Sequence, residues 1–348
     1  MDELIILMYL VFFVGTLSFS FLINLILLRF FRKLGVKNQN NNERWAKEVK
    51  PAIGGISFYI IFLLSLALFP QVFETGYVFF DLKTVGVVLA CTAGFLVGLT
   101  DDAYHTRPIY KSLTQVAVGI LLMFTGTQIH LFGIDILDKA ITLLWVLGIM
   151  NSINMLDNMD GITGVVSLSI GLTLLSLFFR YENFTNIYFI LTTGLVSTLI
   201  SFLYFNWHPS KMYMGDSGSQ FLGAILAILG IEFFWNSNVM MVGESSIPKQ
   251  LLVPLLAFLI PLVDTTTVVI NRISNGTSPF VGGKDHTTHH LARIGLSDKN
   301  VARVIFVLCI ISSSLVYYAF SVKNWSYLLY TIYTLYILGV FVFLFSWC

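Results

Sequence analysis

Long apolar segments alternate with short polar stretches along the whole chain. Most of them approach the roughly 17–25 residues that a helix needs to cross the hydrocarbon core of a bilayer. The pattern predicts eleven membrane-spanning helices, at Leu4–Phe31, Ile53–Phe69, Val85–Thr100, Leu113–Thr127, Ala140–Ile153, Ile162–Phe179, Ile187–Phe205, Phe221–Trp235, Leu251–Ile270, Val301–Phe320 and Tyr327–Phe345. The fourth and fifth are short. The first is too long for the apolar core of a signal peptide, so we expect it to be retained.

The basic residues predict the orientation of these helices. If the spans alternate, fifteen of the 20 Lys and Arg lie in or beside the stretches 32–52, 101–112, 154–161, 206–220 and 271–300. Because Lys and Arg accumulate in cytoplasmic loops, these five stretches are predicted to be cytoplasmic. The N-terminus is then predicted to lie outside.

Composition excludes several classes of protein. Of the 348 residues, 56% are hydrophobic and 11% are charged, whereas about 25% are charged in a soluble domain. We therefore expect a single all-α, polytopic membrane domain over 1–348, not a soluble enzyme, a disordered chain or a disulfide scaffold. The formal net charge is +1, and the absence of a basic tract argues against nucleic-acid binding. The three cysteines have no metal-type spacing.

Aspartates, set among Gly and Asn, collect on the predicted cytoplasmic side. They are Asp101, Asp102, Asp157, Asp160 and Asp216. One helical bundle can bring these carboxylates together, where they would repel one another. Mg²⁺ binds one or two protein carboxylates together with water and substrate phosphates, so we expect Mg²⁺, with Lys111 and Lys211, to relieve that repulsion. Taken singly, the same aspartates could be a solvated helix end, helix caps or a turn residue.

Other polar residues allow more than one interpretation. Gly215 and Gly218 flank Asp216–Ser217 and would let backbone amides approach a phosphate. Asp264 lies inside an apolar segment, where an ionisable group is functional or hydrogen-bonded to a neighbouring helix. Glu232 is expected to be solvated near the outer interface.

A histidine cluster follows in the last cytoplasmic stretch. His286, His289 and His290 are spaced so that a helix would place them on one face. Zinc is one interpretation, but no fourth ligand is evident nearby. Phosphate recognition together with Lys284 fits a neighbouring magnesium site better, and a structural cap is the third alternative.

Four ordered motifs resemble the polyprenyl-phosphate N-acetylhexosamine-1-phosphate transferases, the bacterial undecaprenyl-phosphate GlcNAc-1-phosphate transferase-like branch of glycosyltransferase family 4. The motifs are Asp101–Asp102, Asn151-x-x-Asn154-Met-x-Asp157-x-x-Asp160-Gly161, Asn206-x-x-Pro209-x-Lys211-x-x-Met214-Gly215-Asp216-x-Gly218-Ser219 and Asp285-His286-x-x-His289-His290. The chain departs from the pattern at Asn158, where the family commonly has Gly. As a set the motifs are specific, whereas each alone is weak.

The resemblance implies transfer of N-acetylhexosamine-1-phosphate, most simply GlcNAc-1-phosphate, from a UDP-sugar to undecaprenyl phosphate. UMP is released and a lipid-linked cell-envelope glycan is started. It implies a multi-pass enzyme of the bacterial inner membrane that depends on Mg²⁺, with Mn²⁺ as a substitute, and it is compatible with a homodimer. The donor sugar and the later glycan are not specified by the sequence.

The resemblance also assigns roles residue by residue. Asp216 would bind Mg²⁺ on the diphosphate, with Asp102 as a second metal residue. Asp101 and Asp102 would act at the polyprenyl phosphate as base or positioning groups, and Lys111 would neutralise phosphate. Tyr213 would stack on uracil. The remaining substrate-binding residues would be Asn154, Asp157, Asp160, Asn206, His286, His289 and His290.

Two alternatives remain. The phospho-N-acetylmuramoyl-pentapeptide translocases are the nearest alternative, but they typically carry three consecutive histidines where this chain has His286-Thr-Thr-His289-His290. A secondary transporter would place ionisable residues near the bilayer midplane and show internal repeats. Here most candidate residues lie on one side, and no repeat is evident.

Overall fold

The computed structural model describes residues 3–34, 50–73, 81–181, 184–237, 246–278, 283 and 285–346. Over these residues the chain is all-helical, without a β-strand. The helices are α1 (Glu3–Leu34), α2 (Gly54–Phe73), α3 (Leu82–Tyr104), α4 (Pro108–Phe124), α5 (Asp135–Leu156), α6 (Ile162–Arg180), α7 (Ile187–Asn206), α8 (Gly215–Leu229), α9 (Ile247–Ala257), α10 (Leu259–Ser274), α11 (Thr287–Arg293), α12 (Asp298–Ser321) and α13 (Tyr327–Phe345). A π-helical turn, Gly230–Trp235, continues α8.

The described helices are those of a multi-pass membrane protein. Eight of them are long and apolar enough to cross a membrane, and a bent pair, α9 with α10, would make nine. Two shorter apolar helices cover Gly54–Pro70 and Pro108–Phe124. The count of eleven spans and the outside N-terminus remain predictions.

The ninth predicted span is not one straight helix. The axes of α9 and α10 differ by 84°, and Phe258 separates the two helices. Pro261, in the first turn of α10, has no N–H to donate to the carbonyl of Ala257, and its ring crowds that carbonyl. A continuous helix is therefore disfavoured at this point.

The core lies around α8. In the most apolar 18-residue window of each helix, 94% of α8 and its π-helical extension is buried, against 17% for α1 and 17% for α13. Glycines bring α3 close to α8, since a Cβ at Gly98 would lie 2.1 Å from the carbonyl oxygen of Asp216. The end of α3 and the beginning of α8 are thus held together.

Glu232 corrects the expectation of a solvated residue. Its carboxylate lies 2.6 Å from Lys83 Nζ, and its side chain is 12% exposed. This ion pair joins the π-helical turn to the beginning of α3, and it satisfies a charge that would otherwise be buried alone.

Candidate active site

Most of the polar residues expected in loops belong to the ends of helices. Asp101 and Asp102 lie in the last turn of α3, Lys111 in the first turn of α4, and Asn154 in the last turn of α5. Asp216 lies in the first turn of α8. The apolar pattern underestimated these helices because polar residues at a helix end do not extend an apolar run. The helices therefore fix these side chains more firmly than loops would.

An ion-paired trio lies where α3, α4 and α8 meet. Lys111 Nζ is 2.6 Å from Asp101 Oδ2 and 3.2 Å from Asp216 Oδ2. Thr106 Oγ1 donates to the other oxygen of Asp101 at 2.5 Å. The lysine has three N–H donors, so two carboxylates leave one donor for a third anionic group.

Asp102 fixes the start of α8. Its Oδ1 accepts a hydrogen bond from the N–H of Asp216 at 2.8 Å, and its Oδ2 accepts one from the N–H of Ser217 at 2.9 Å. Gly215 precedes them with a φ of +77°, and a Cβ there would lie 2.8 Å from Asp102 Oδ2. The left-handed backbone and the close carboxylate both require glycine.

This arrangement corrects the expectation for the glycines around Asp216. The two amides expected to approach a phosphate donate instead to Asp102. Gly218 serves packing, because a Cβ there would lie 2.9 Å from the Cα of Gly55 at the beginning of α2. The role of Asp102 as a metal residue remains a prediction, and the structure gives this carboxylate a capping role.

Asn154 connects α5 to α8. Its Nδ2 donates to Asp216 Oδ1 at 2.5 Å and to Ser219 Oγ at 2.8 Å. Together with Lys111 on Oδ2, the two neighbours fix both oxygens of Asp216. The carboxylate is therefore held in one orientation at the edge of the bundle.

A cavity of about 340 Å³ opens beside Asp216. Six of the predicted site residues besides Asp216 line it, together with Asn158, Met159 and Gly215. These six are Asp102, Asn154, Asp157, Asp160, Asn206 and Tyr213, the last of which adds an aromatic side chain. Its volume falls in the range of small-molecule sites, about 300–1,000 Å³.

The pKa of Asp157 reflects the negative charges around this cavity. Asp157 is the C-cap residue that follows α5. Burial, followed by the negative charges of Asp216, Asp102 and Asp160, raises the pKa of Asp157 to about 7. A surplus of negative charge thus faces the cavity, as expected for a site that receives a cation.

Asp160 organises the polar stretch after α7. Its Oδ1 accepts from Ser210 Oγ at 2.7 Å, and its Oδ2 accepts from the Ser210 N–H at 3.0 Å. Lys50 Nζ lies 3.8 Å from Oδ2, and His208 Nδ1 lies 3.2 Å from it. Because both oxygens hold Ser210, Asp160 shapes the wall of the cavity as well as lining it.

Asn206 and Tyr213 are held in different ways. The Asn206 side chain accepts from the Gly161 N–H at 2.9 Å and donates to the Met212 carbonyl at 2.8 Å. Its amide therefore joins two polar stretches. Tyr213 is 39% exposed, and Lys50 Nζ lies 5.2 Å from its ring centroid.

Sequence reasoning missed Lys50 and Ser210 as parts of this site. Backbone hydrogen bonds join the two chain segments, from the Tyr213 N–H to the Pro51 carbonyl and from the Gly54 N–H to the Tyr213 carbonyl, at 2.9 and 3.1 Å. A basic residue directly before Pro51 was the available signal. Lys50 Nζ donates to Ser210 Oγ at 3.0 Å, across 160 positions of the sequence, so spacing could not reveal this contact.

The histidines lie around a short helix. His286 precedes α11 as its N-cap residue, so the three histidines do not share one helix face. His286 Nδ1 is 2.8 Å from Asp264 Oδ2. Asp264 Oδ1 also accepts from the Thr287 N–H at 2.9 Å. Asp264 is therefore hydrogen-bonded to a neighbouring helix, which is one of the two interpretations given for it above, and it holds the start of α11 in place.

None of the three histidines lines the described cavity. His286 and His290 are buried, and His289 is half-buried. Burial, together with the nearby charge of Arg293, lowers the pKa of His290. Arg272 pairs with Asp285 through two contacts of 2.6 and 2.8 Å, which lowers the pKa of that carboxyl. Lys284 lies outside the described residues.

The Mg²⁺ expected from the sequence remains a prediction. Within the described part of the chain, no group of three or more His, Cys, Asp or Glu side chains is arranged to hold a metal ion. Mg²⁺ needs only one or two protein carboxylates when phosphates and water complete its shell. Asp216 and Asp157 line one cavity and are the carboxylates that could hold such an ion.

Comparisons with known proteins agree with the motifs. Residues 84–234 match the family model described as glycosyl transferase family 4. A probable undecaprenyl-phosphate N-acetylglucosaminyl 1-phosphate transferase of Bacillus subtilis is 26% identical over 90% of this chain and 85% of its own length. A decaprenyl-phosphate N-acetylglucosaminephosphotransferase of Mycobacterium leprae is 26% identical over 74% of this chain and 70% of its own length.

Another branch is also similar. A phospho-N-acetylmuramoyl-pentapeptide-transferase of Thermotoga petrophila is 27% identical over 87% of this chain and 98% of its own length. The predicted resemblance is therefore confirmed at the level of the family.

Proposed function

With its resemblance to glycosyl transferase family 4 confirmed, we propose that the chain transfers N-acetylglucosamine-1-phosphate from UDP-GlcNAc to a polyprenyl phosphate. The products are UMP and a lipid-linked sugar diphosphate. The names of the Bacillus and Mycobacterium relatives support this reaction. The lipid acceptor explains why the enzyme is a bundle of apolar helices.

One observation carries the proposal. Lys111 bridges two carboxylates, Asp101 and Asp216, at the edge of a cavity that four aspartates line. Joining two phosphates requires that their mutual repulsion be overcome and that they be aligned. A fixed lysine beside a negatively charged cavity that can accept a divalent cation supplies both requirements.

The chain's own residues then have distinct tasks. Asp101, which is itself held by Thr106, fixes Lys111, whose one remaining N–H donor suits the acceptor phosphate. Asn154 and Lys111 orient Asp216, which with Asp157 would hold Mg²⁺. When bound, Mg²⁺ would neutralise and orient the donor diphosphate.

The acceptor needs little activation, because a phosphate oxygen is already anionic at neutral pH. Both oxygens of Asp102 accept backbone hydrogen bonds, and Asp101 is ion-paired. This geometry favours positioning over proton abstraction for the pair. Tyr213 offers its exposed ring to the uracil.

The membrane arrangement is part of the proposal. We place the site on the cytoplasmic face of a bacterial inner membrane, with eleven spans and an outside N-terminus. Single cysteines test this in a chain lacking Cys91, Cys309 and Cys348. They replace Lys299, in the first turn of α12, and Lys323, just beyond its last turn, both of which are exposed. An impermeant thiol reagent should label Lys323→Cys in intact cells, and Lys299→Cys only after lysis. Labelling of both from one side would contradict the arrangement.

The reaction itself is tested with purified enzyme. Radiolabelled UDP-GlcNAc and undecaprenyl phosphate should yield butanol-soluble label in the presence of Mg²⁺, and little after chelation with EDTA. Asp216→Asn should abolish the product. Asp135→Asn, which alters an exposed aspartate paired with Lys139, is the matched control and should stay active.

The second candidate is the pentapeptide-transferase reaction. The Thermotoga relative, similar over 98% of its own length, favours it. The same assay with UDP-MurNAc-pentapeptide separates the two, because product from that donor alone would replace our proposal with the second one.

A further inference from the structure

Two polar residues that lie far apart in the sequence contact each other. Asn158 follows the end of α5, and Thr288 lies in α11, at a variable position of the motif Asp285-His286-x-x-His289-His290. Thr288 Oγ1 donates to Asn158 Oδ1 at 2.7 Å. Residues 130 positions apart in the sequence thus join the 157–161 stretch to α11.

Both partners are held in place. Asn158 Nδ2 donates to the Met155 carbonyl at 3.0 Å, which directs the other end of the amide toward Thr288. Thr288 is fully buried. Without the Thr288 hydroxyl, the half-buried amide oxygen of Asn158 would lose this donor, so the contact favours one position of the 157–161 stretch.

The same contact sets the distance between two parts of the molecule. Asn158 lines the cavity, and Thr288 lies behind it on α11. Asp264 holds the other side of the α11 start through His286 and Thr287. The Asn158–Thr288 hydrogen bond therefore fixes the distance between the histidines at 286–290 and the cavity beside Asp216.

We propose that Asn158 and Thr288 are positioning residues: their contact holds one wall of the cavity in the position in which it meets the bound nucleotide sugar. This inference rests on the proposed function, and it concerns the nucleoside-diphosphate N-acetylhexosamine donor rather than the lipid acceptor. Asn158 shares the wall with Asp157, and its displacement would misalign the groups that hold the donor.

Three variants test the contact. Thr288→Val removes the hydroxyl at nearly constant volume, Asn158→Ala removes its acceptor, and the double variant removes both. Thr288→Ser retains the hydroxyl and should rescue the contact. Thr173→Val is the matched control, because Thr173 Oγ1 makes a comparable 2.7 Å bond with Ser313 between α6 and α12.

We expect each single variant to raise the KM for UDP-GlcNAc about three- to tenfold, the loss of one neutral hydrogen bond. The kcat and the KM for undecaprenyl phosphate should change less than about twofold, since removing uniform binding raises KM alone. The double variant should be no worse than the worse single variant, because both changes remove one contact. Thr288→Ser and Thr173→Val should keep the wild-type KM.

Calorimetric binding of UDP-GlcNAc in Mg²⁺ gives a readout that does not require turnover. If the wild type binds the donor but does not transfer, the proposed function fails, and weaker binding by Thr288→Val still supports the positioning role. A lower unfolding temperature with unchanged donor KM and affinity would overturn it, since the bond would then be structural alone. Additive losses in the double variant, or no donor binding by the wild type, would also overturn it.

Discussion

Replacing Lys111 with methionine separates the stability of the ion-paired trio from its contribution to catalysis. The side chain keeps a similar length and loses its charge, so Asp101 and Asp216 would face each other without a cation. We expect the protein to lose stability and, separately, to lose transferase activity.

The expected stability loss follows from burial. The side chains of Lys111, Asp101 and Asp216 are 20%, 11% and 29% exposed. Exposed ion pairs contribute less than about 1 kcal/mol, and breaking a buried pair costs about 3–5 kcal/mol. The trio lies between these limits, so we expect a loss of about 2–3 kcal/mol. Turnover should fall about 100- to 1,000-fold, as when one fixed group that stabilises transition-state charge is removed.

The double variant Asp101→Asn/Lys111→Met distinguishes the two effects. Removing one carboxylate relieves the repulsion left by the lysine, so more than half of the lost stability should return. Activity should not return, because the positive charge is still absent. Lys139→Met is the control, since its pair with Asp135 is exposed and screened by solvent, so this variant should keep the wild-type stability.

SDS titration of the purified protein measures the stability changes, and the radiolabel assay measures turnover. A Lys111→Met protein with wild-type turnover would show that the lysine does not act on substrate. Recovery of activity in the double variant would show that the single variant is inactive only because it is misfolded.

Three other changes probe the cavity. Asp216→Asn should reduce turnover by at least about 100-fold, since a neutral amide is a poorer Mg²⁺ ligand; wild-type turnover by a folded variant would exclude it as the metal residue. Without divalent cations, stability should fall as pH rises from about 4 to about 7, by up to about 1.4 kcal/mol per pH unit, because Asp157 keeps its proton up to about 7 only when folded. Asp157→Asn should reduce this slope, and an unchanged slope would assign it to another group. Tyr213→Leu should raise the KM for UDP-GlcNAc about fivefold or more by removing an aromatic contact, whereas Tyr213→Phe should retain it; equal effects would rule out stacking.

The sequence predicted the apolar segments because a bilayer imposes a length on every spanning helix. It also indicated which aspartates belong together, since Asp102, Asp157, Asp160 and Asp216 line one cavity. It could not predict where the helices end, because polar end residues such as Asp101 look the same in a loop. The bend near Pro261 could have been expected from the proline alone.

The sequence could not specify which aspartates are hydrogen-bonded to other protein groups and which are available to bind a ligand. Asp160 and Asp264 have the same side chain as Asp157. The oxygens of Asp160 accept hydrogen bonds from Ser210, and Asp264 accepts one from the start of α11. Asp157 instead carries a pKa raised to about 7 by burial and by neighbouring carboxylates. That difference arises from donors supplied by remote segments, so only the folded chain defines it. An aspartate whose pKa is raised by burial and by neighbouring carboxylates is the one that a cation would stabilise most, and this is the physical reason to look for the metal between Asp157 and Asp216.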